Sequence, residues 1–314
     1  MGEYIRRRAI ITVPLLLGVS LVVFSMLHFL PGDPVMLMMA ESGGGAKLAD
    51  GSEQQYERIR HELGLDLPLP IQFGRFVLNA LRGDLGRSFR SGQAVSQEIA
   101  EVFPNTVRLA VLSLGVAASV GLLLGTLAAL HHQRWIDNAS MLLALVGVAM
   151  PNFWFGLMLL FVFALMLGWL PATGYGEWNA ILLPATALGL RAAAVIARLT
   201  RSSLLEVLRN DYVTTARAKG LSERTMVVRH ALRNALIPVV TVVGLQFGDL
   251  LAGTVVIETV FARPGLGSLV TNAILSKDFP IVQGTVLVVA SCYIFVNLLA
   301  DLSYAVLDPR IKYG

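Results

Sequence analysis

The sequence predicts an all-α integral membrane protein of about six transmembrane helices, and two observations lead to this fold class. Charged residues make up only 15% of the chain and the mean hydropathy is +0.67, whereas a soluble domain usually carries about 25% charged residues. The apolar residues also fall in long runs, of which 9–30, 109–130 and 139–170 contain no Asp, Glu, Lys or Arg. Each of these runs reaches the roughly 20 residues that a helix needs to cross a hydrocarbon core.

The elements can be followed in order along the chain. The first run comes after three arginines and meets a Pro-Gly-Asp-Pro segment, which predicts a retained first span rather than a cleaved signal peptide. The third run is too long for one upright helix and too short for two spans, and Pro151 near its middle predicts a kinked or tilted span. The predicted spans are residues 9–30, 106–131, 139–170, 181–200, 234–261 and 281–305.

The distribution of basic residues predicts that both termini are cytoplasmic, by the positive-inside rule. Among the termini and the short connections, Lys and Arg lie near both termini, at Arg134 and between spans four and five, while the connection between spans three and four has none. This asymmetry accounts for the high isoelectric point of the chain and gives no argument for a nucleic-acid partner. The predicted domains are 1–30 with the cytoplasmic N-terminus and first helix, 31–105 as an external domain, 106–200 with helices two to four, 201–233 as a cytoplasmic loop, and 234–314 with the last two helices and the cytoplasmic C-terminus.

The cytoplasmic loop predicts two short helices joined by a sharp turn. Asp211 is expected to cap a helix over residues 212–218, and Gly220 to end that helix in the left-handed conformation. Ser222 then caps a second helix that has Glu223 in its first turn. Small side chains of the first helix are expected to face outward, where a rigid helix pair suits docking into a groove of another protein. These small residues are Thr215, Ala216 and Ala218.

This loop resembles the coupling motif of the permease subunits of ATP-binding-cassette importers. Thr214, Thr215 and Ala216 stand where the motif has Glu-Ala-Ala, and Gly220 takes the place of its glycine. The later part departs from the motif, with Pro238 further along the chain, in a way that is similar to the peptide and nickel permease branch. Other short motifs of that branch follow in order along nearly the whole chain. They are Pro31-Gly32-Asp33-Pro34, Leu63-Gly64-Leu65-Asp66, Gly83-Asp84-Leu85-Gly86, Pro264-Gly265-Leu266-Gly267 and Asp308-Pro309-Arg310-Ile311.

The resemblance implies a type I importer permease fold in a bacterial inner membrane, and a chain similar to the first of two permeases in dipeptide or glutathione transporters. It implies as partners a second homologous permease, two ATPase subunits and an extracytoplasmic binding protein. The sequence contains no Gly-x-x-x-x-Gly-Lys-Ser/Thr loop, so ATP and Mg are expected only in the partner subunits. Coupling to the ATPase is assigned to Asp211, Tyr212, Thr214, Thr215, Ala216, Arg217, Ala218, Lys219, Gly220 and Leu221.

Two charges are predicted near the middle of the membrane. Arg191 in span four and Asp249 in span five lie at similar depths, and an unpaired charge there costs several kcal/mol. One interpretation is an ion pair that fixes the packing of the two spans. The other is that both residues line the translocation path, where opposite charges would suit a zwitterionic peptide. Glu258, near the outer end of span five, is open to a similar choice between packing and substrate contact.

Other functions remain as alternatives. A permease for nickel or another metal chelate fits the same motifs, and a stand-alone secondary transporter or channel is the alternative of another class. A membrane enzyme is disfavoured, since no Gly-x-Ser-x-Gly elbow is present and the histidines are too scattered along the sequence for a metal site. No catalytic or metal-binding residue is therefore predicted in this chain.

Overall fold

The computed structural model describes residues 2–29, 34–39, 52–62, 64–174 and 178–307, and in these residues the fold is helical without a β-strand. Residues 31–33, Leu63 and the closing motif at 308–311 lie outside the described residues. The helices are α1 (Gly2–Phe29), α2 (Pro34–Met39), α3 (Ser52–Glu62), α4 (Leu69–Leu81), α5 (Val95–Leu130), α6 (Trp135–Ala149), α7 (Asn152–Leu159), α8 (Leu182–Leu208), α9 (Asp211–Ala218), α10 (Glu223–Thr225), α11 (Leu232–Val260), α12 (Leu266–Leu275) and α13 (Phe279–Leu307).

The long helices lie at the six predicted spans. Among the described residues, four helical segments are long and apolar enough to cross a membrane, and α6 with α7 makes a fifth when that bent pair counts as one span. Helix α1 contains a shorter apolar part, Ile10–Met26. The four segments are Val95–Leu130, Asn179–Leu208, Glu223–Val260 and Phe279–Ala300.

The interruption of span three falls where the sequence predicts it. Helix α6 ends at Ala149, Pro151 occupies the N-cap of α7, and the two helices meet at 109°. Proline cannot donate the backbone hydrogen bond that would continue a helix, which explains the position of the break. Helix α7 then continues as a π-helix over Leu160–Met166. The predicted interruption at Pro151 is confirmed, and an angle of 109° is that of a broken span or of a re-entrant loop rather than of a tilted helix.

Helix ends differ from the predicted limits of the spans. Helix α5 starts at Val95 rather than near residue 106, and α8 continues to Leu208 rather than ending near residue 200. A helical stretch also precedes α11, because α10 and a π-helical segment, Met226–Ala231, lead into it without a break. Hydropathy marks only the apolar part of a helix, so a polar continuation is missed.

Helix α8 is the centre of the bundle and packs closely along α5. Close approach is possible because glycine replaces a side chain at the contacts: a Cβ atom on Gly125 would lie 2.5 Å from the carbonyl oxygen of Ala197. A Cβ on Gly121 would lie 2.7 Å from the carbonyl oxygen of Ala193. Small residues at such contacts are typical of membrane helix pairs, which gain stability from close van der Waals packing.

Candidate functional site

The predicted coupling helix forms as α9, between α8 and α10. It begins at Asp211, so Asn210 rather than Asp211 occupies the N-cap, and no side chain makes a capping hydrogen bond there. The predicted cap was therefore wrong by one residue. Asp211 lies in the first turn instead, where its carboxylate still interacts favourably with the positive end of the helix dipole.

The turn after α9 has the predicted left-handed glycine. Gly220 has φ +80°, a conformation that side-chain-bearing residues rarely adopt. Its N–H donates to the carbonyl of Arg217 at 2.9 Å, and the N–H of Leu221 donates to the carbonyl of Ala216 at 3.3 Å. These two bonds are those of a Schellman motif, which satisfies the last carbonyls of the helix.

Side chains then fix α9 relative to the next helix. The hydroxyl of Ser222 accepts from the N–H of Thr225 at 3.4 Å, which confirms Ser222 as the cap of α10. Arg217 on α9 donates through Nε to Glu223 on α10 at 2.8 Å, and through a second nitrogen at 3.3 Å. The turn at Gly220 is thus spanned by an exposed ion pair between α9 and α10 in addition to its backbone hydrogen bonds.

Helix α9 is anchored to the bundle through one fully buried side chain. Val213 packs in an apolar cluster with Leu204 of α8, with Met226 and with Ala235 of α11. Thr215 and Ala218 face outward as predicted, whereas Ala216 is half-buried against this cluster. A displacement of α9 would therefore be transmitted to α8 and α11 through this shared apolar cluster, and the outer side of α9 is exposed.

Arg191 and Asp249 lie in one cleft of about 450 Å³ between α8 and α11. Both side chains are exposed in the single chain, and Asn152 of α7 and Gln246 of α11 also line this cleft. No ion pair joins Arg191 to Asp249 in the described part of the chain. The structure thus brings the two residues to one cavity and leaves their charges open to it.

A second Arg–Asp pair, which the sequence did not indicate, lies toward the C-terminal end of α8. Arg201 donates to both carboxylate oxygens of Asp137 in α6, at 2.6 and 2.7 Å. The same carboxylate accepts from the N–H of Gln133 at 3.0 Å and lies 3.1 Å from Nδ1 of His132. Asp137 is only 2% exposed. Arg201 had been placed in the loop, and its position on α8 follows from the longer helix.

Glu258 is a packing residue at the far end of α11. Its carboxylate is 1% exposed and accepts from the hydroxyl of Thr106 at 2.7 Å and from the N–H of Gly267 at 2.7 Å. The N–H of Ser268 adds a third bond at 3.3 Å. The carboxylate therefore covers the N-terminus of α12, where N–H groups lack helical partners. The sequence signal that could have indicated this contact is an acidic residue shortly before Pro264-Gly265-Leu266-Gly267.

Asp278 has a similar role and was missed. It is 3% exposed, precedes α13, and accepts from the hydroxyl of Ser88 and from the N–H of Phe89 at 3.2 Å. These bonds join the turn between α12 and α13 to the loop before α5. The partners are far apart in sequence, so no local pattern could indicate the contact.

Two family comparisons match this sequence along nearly its whole length. Residues 1–110 match the N-terminal part of a binding-protein-dependent transport system membrane component, and residues 121–313 match the binding-protein-dependent transport system inner membrane component. This chain belongs to that family. The membership confirms the predicted transport role and disfavours a stand-alone channel or secondary transporter.

Similar proteins and structures agree with this family. The glutathione transport system permease protein GsiC of Pectobacterium atrosepticum is 44% identical over 313 residues, with 100% of both chains covered. A Brucella abortus protein, named as a permease of a peptide transport system, is 42% identical over 321 residues, also with 100% of both chains covered.

The solved structures show the fold alone, because their sequences are distant. An inward-facing structure of the MetNI methionine ABC transporter has a TM-score of 0.58 at 15% identity, covering 68% of this chain and 97% of that chain. A structure of an amino acid ABC transporter with histidines has a TM-score of 0.51 at 14% identity, covering 69% and 95%. These likenesses confirm the predicted type I importer permease fold.

Proposed function

We propose that this chain is one of two permease subunits that form the translocation path of an ATP-binding-cassette importer for di- or oligopeptides, including glutathione-like peptides. ATP and Mg are used in two separate ATPase subunits, and an extracytoplasmic binding protein delivers the substrate. Both termini face the cytoplasm, in line with the positive-inside distribution of Lys and Arg.

The observation that carries this proposal is the construction of α9. An exposed surface of small residues is held on a buried anchor, Val213, and its turn is locked by the Gly220 conformation and the Arg217–Glu223 ion pair. Such a short, exposed helix held in a fixed orientation suits a groove of an ATPase subunit. When the ATPase moves α9, the shared apolar cluster passes the displacement to α8 and α11.

The cleft of Arg191 and Asp249 is the proposed translocation surface. The cleft lies between α8 and α11, and a displacement of α9 is proposed to move these two helices. A shift of α8 relative to α11 would therefore change the shape of the cleft. Opposite charges in one water-accessible cavity fit a substrate that carries both an amino group and a carboxylate. Peptide and glutathione permeases among the relatives favour such cargo over the nickel-chelate alternative.

Gly220 gives a direct test of the coupling role. In Gly220→Val the positive φ is strained, by about 1–2 kcal/mol, although no atom lies within 4 Å of the added Cβ. Gly220→Asn is the matched control, because asparagine tolerates this conformation. We expect the valine variant to insert normally but to lose most peptide uptake per ATP hydrolysed, measured in proteoliposomes with the ATPase and the binding protein present.

The same assay tests the substrate and the class of transporter. Uptake of a labelled dipeptide or glutathione should require ATP and stop when the ATPase subunits are omitted. Uptake that continues without the ATPase would contradict the importer assignment. Uptake of a nickel chelate in place of peptides would contradict the peptide assignment alone.

A further inference from the structure

A second cleft, distinct from the translocation surface, lies beside the coupling helix at the start of α11. It has a volume of about 520 Å³ and is bounded by side chains of α9, of the π-helical segment Met226–Ala231 and of α11. None of its lining residues is acidic. The lining residues are Tyr212, Arg229, His230, Arg233, Asn234 and Ile237.

Helix geometry brings these groups together. His230, Arg233, Asn234 and Ile237 are spaced at three and four residues, so they share one face of the helix. Tyr212 of α9 forms the opposite wall, where its hydroxyl accepts from Nδ2 of Asn234 at 3.0 Å. The cleft therefore lies across the contact between the coupling helix and the membrane helix.

The two guanidinium groups are available for a ligand. Arg229 and Arg233 are exposed, and neither forms an ion pair within the part of the chain that the structure describes. The nearby acid Glu223 is already engaged by Arg217, and Asp211 in the first turn of α9 does not line the cleft. Two arginines with a polar wall are typical of a phosphate site.

Beyond Arg233 the surface of α11 becomes apolar. No ionisable residue occurs in the sequence between Arg233 and Asp249. Ile237, which lines the cleft, is 45% exposed, and Val240 one turn further along α11 is 50% exposed. Arg233 thus marks the level at which the polar surface ends and the surface for acyl chains begins, and a phospholipid has both parts.

We propose that this cleft binds the headgroup phosphate of an anionic phospholipid, with Arg229 and Arg233 on the phosphate and an acyl chain along Ile237 and Val240. Because Tyr212 forms one wall, the bound lipid also stabilises the contact between α9 and α11. Basic groups at a membrane surface attract anionic lipids. The site goes beyond the proposed transport function, since lipid binding needs neither ATPase nor substrate.

The test measures lipid retention by the purified full-length chain. The protein is titrated with phosphatidylglycerol in phosphatidylcholine nanodiscs or mixed micelles, and bound lipid is counted by native mass spectrometry. We expect Arg229→Gln and Arg233→Gln each to weaken phosphatidylglycerol binding about tenfold, through loss of a charge-assisted contact. Arg224→Gln is the matched control, because Arg224 is exposed in the same loop but does not line the cleft.

Two further experiments distinguish a phospholipid from a soluble phosphate compound as the ligand. Inorganic phosphate or glycerol 3-phosphate should not compete at concentrations comparable with the lipid, and Ile237→Ser should weaken lipid binding without changing thermal stability. Competition by free phosphate would overturn the lipid assignment in favour of a soluble anion. Equal losses in Arg224→Gln, or unchanged lipid binding with loss of ATPase association in the Arg229 and Arg233 variants, would overturn the site.

Discussion

Helix α8 carries two arginines in opposite environments. Arg201 donates to both oxygens of Asp137, at 2.6 and 2.7 Å, and that carboxylate is almost fully buried. Arg191, about three turns earlier, is exposed in the cleft that it shares with Asp249 and forms no ion pair in the described residues.

The difference separates a charge that holds the bundle together from one that is open to a ligand. A buried carboxylate must be compensated, and Asp137 has a bidentate arginine as well as the N–H of Gln133. Arg191 and Asp249 form no ion pair with each other in the described residues, so their charges can interact with a molecule that enters the cleft. The first set fixes α8 against α6, and the second lies between α8 and α11, which share an apolar cluster with α9.

The largest expected effect comes from breaking the buried pair. Arg201→Ala leaves the Asp137 carboxylate buried without its main partner, which should lower the free energy of unfolding by about 3 kcal/mol. Thermal unfolding of the purified chain in detergent, together with the yield of inserted protein, measures the loss.

Two variants sharpen this first result. Arg191→Ala on the same helix is the control and should unfold as the unchanged protein does. The double variant Arg201→Ala with Asp137→Asn should recover part of the stability, because it no longer leaves a buried charge. An Arg201→Ala protein as stable as Arg191→Ala would contradict the comparison of the two arginines.

Local features of this fold could be predicted from sequence because their causes are local. The break at Pro151 follows from a missing N–H, and the turn at Gly220 follows from a residue that tolerates positive φ. The error at Asp211 is of the same local kind, since Asn210 and Asp211 are both good caps and only the backbone decides between them.

Tertiary features were missed for a physical reason. Asp137 and Arg201 lie on different helices, as do Thr106 and Glu258, and charge patterns carry no information about which helix faces match. The same limit affected Arg191 and Asp249. Equal depth favoured a pair, whereas depth alone does not fix the rotation of either helix about its axis.

A smaller effect is expected at the contact that brings α5 close to Arg201. In Gly125→Ala the new methyl group would meet the backbone of Ala197, which cannot move aside as a side chain can. We expect a loss of about 1–3 kcal/mol in stability. Gly115→Ala on the same helix has no atom within 4 Å of its added Cβ and should be neutral or slightly stabilising. Similar losses in both variants would indicate a helix effect rather than close packing.

The smallest effect on stability, and the most informative for function, is expected at the open pair. Arg191→Ala and Asp249→Asn should each change the free energy of unfolding by less than about 0.5 kcal/mol, because both side chains are exposed and neither is in an ion pair. Peptide uptake in proteoliposomes should nevertheless fall about tenfold, which corresponds to about 1.4 kcal/mol of lost interaction.

Arg198→Ala, an exposed arginine of α8 that does not line the cleft, is the transport control. Normal uptake by both cleft variants would remove these charges from the translocation path, whereas a loss of stability would show that they support packing as Asp137 and Arg201 do.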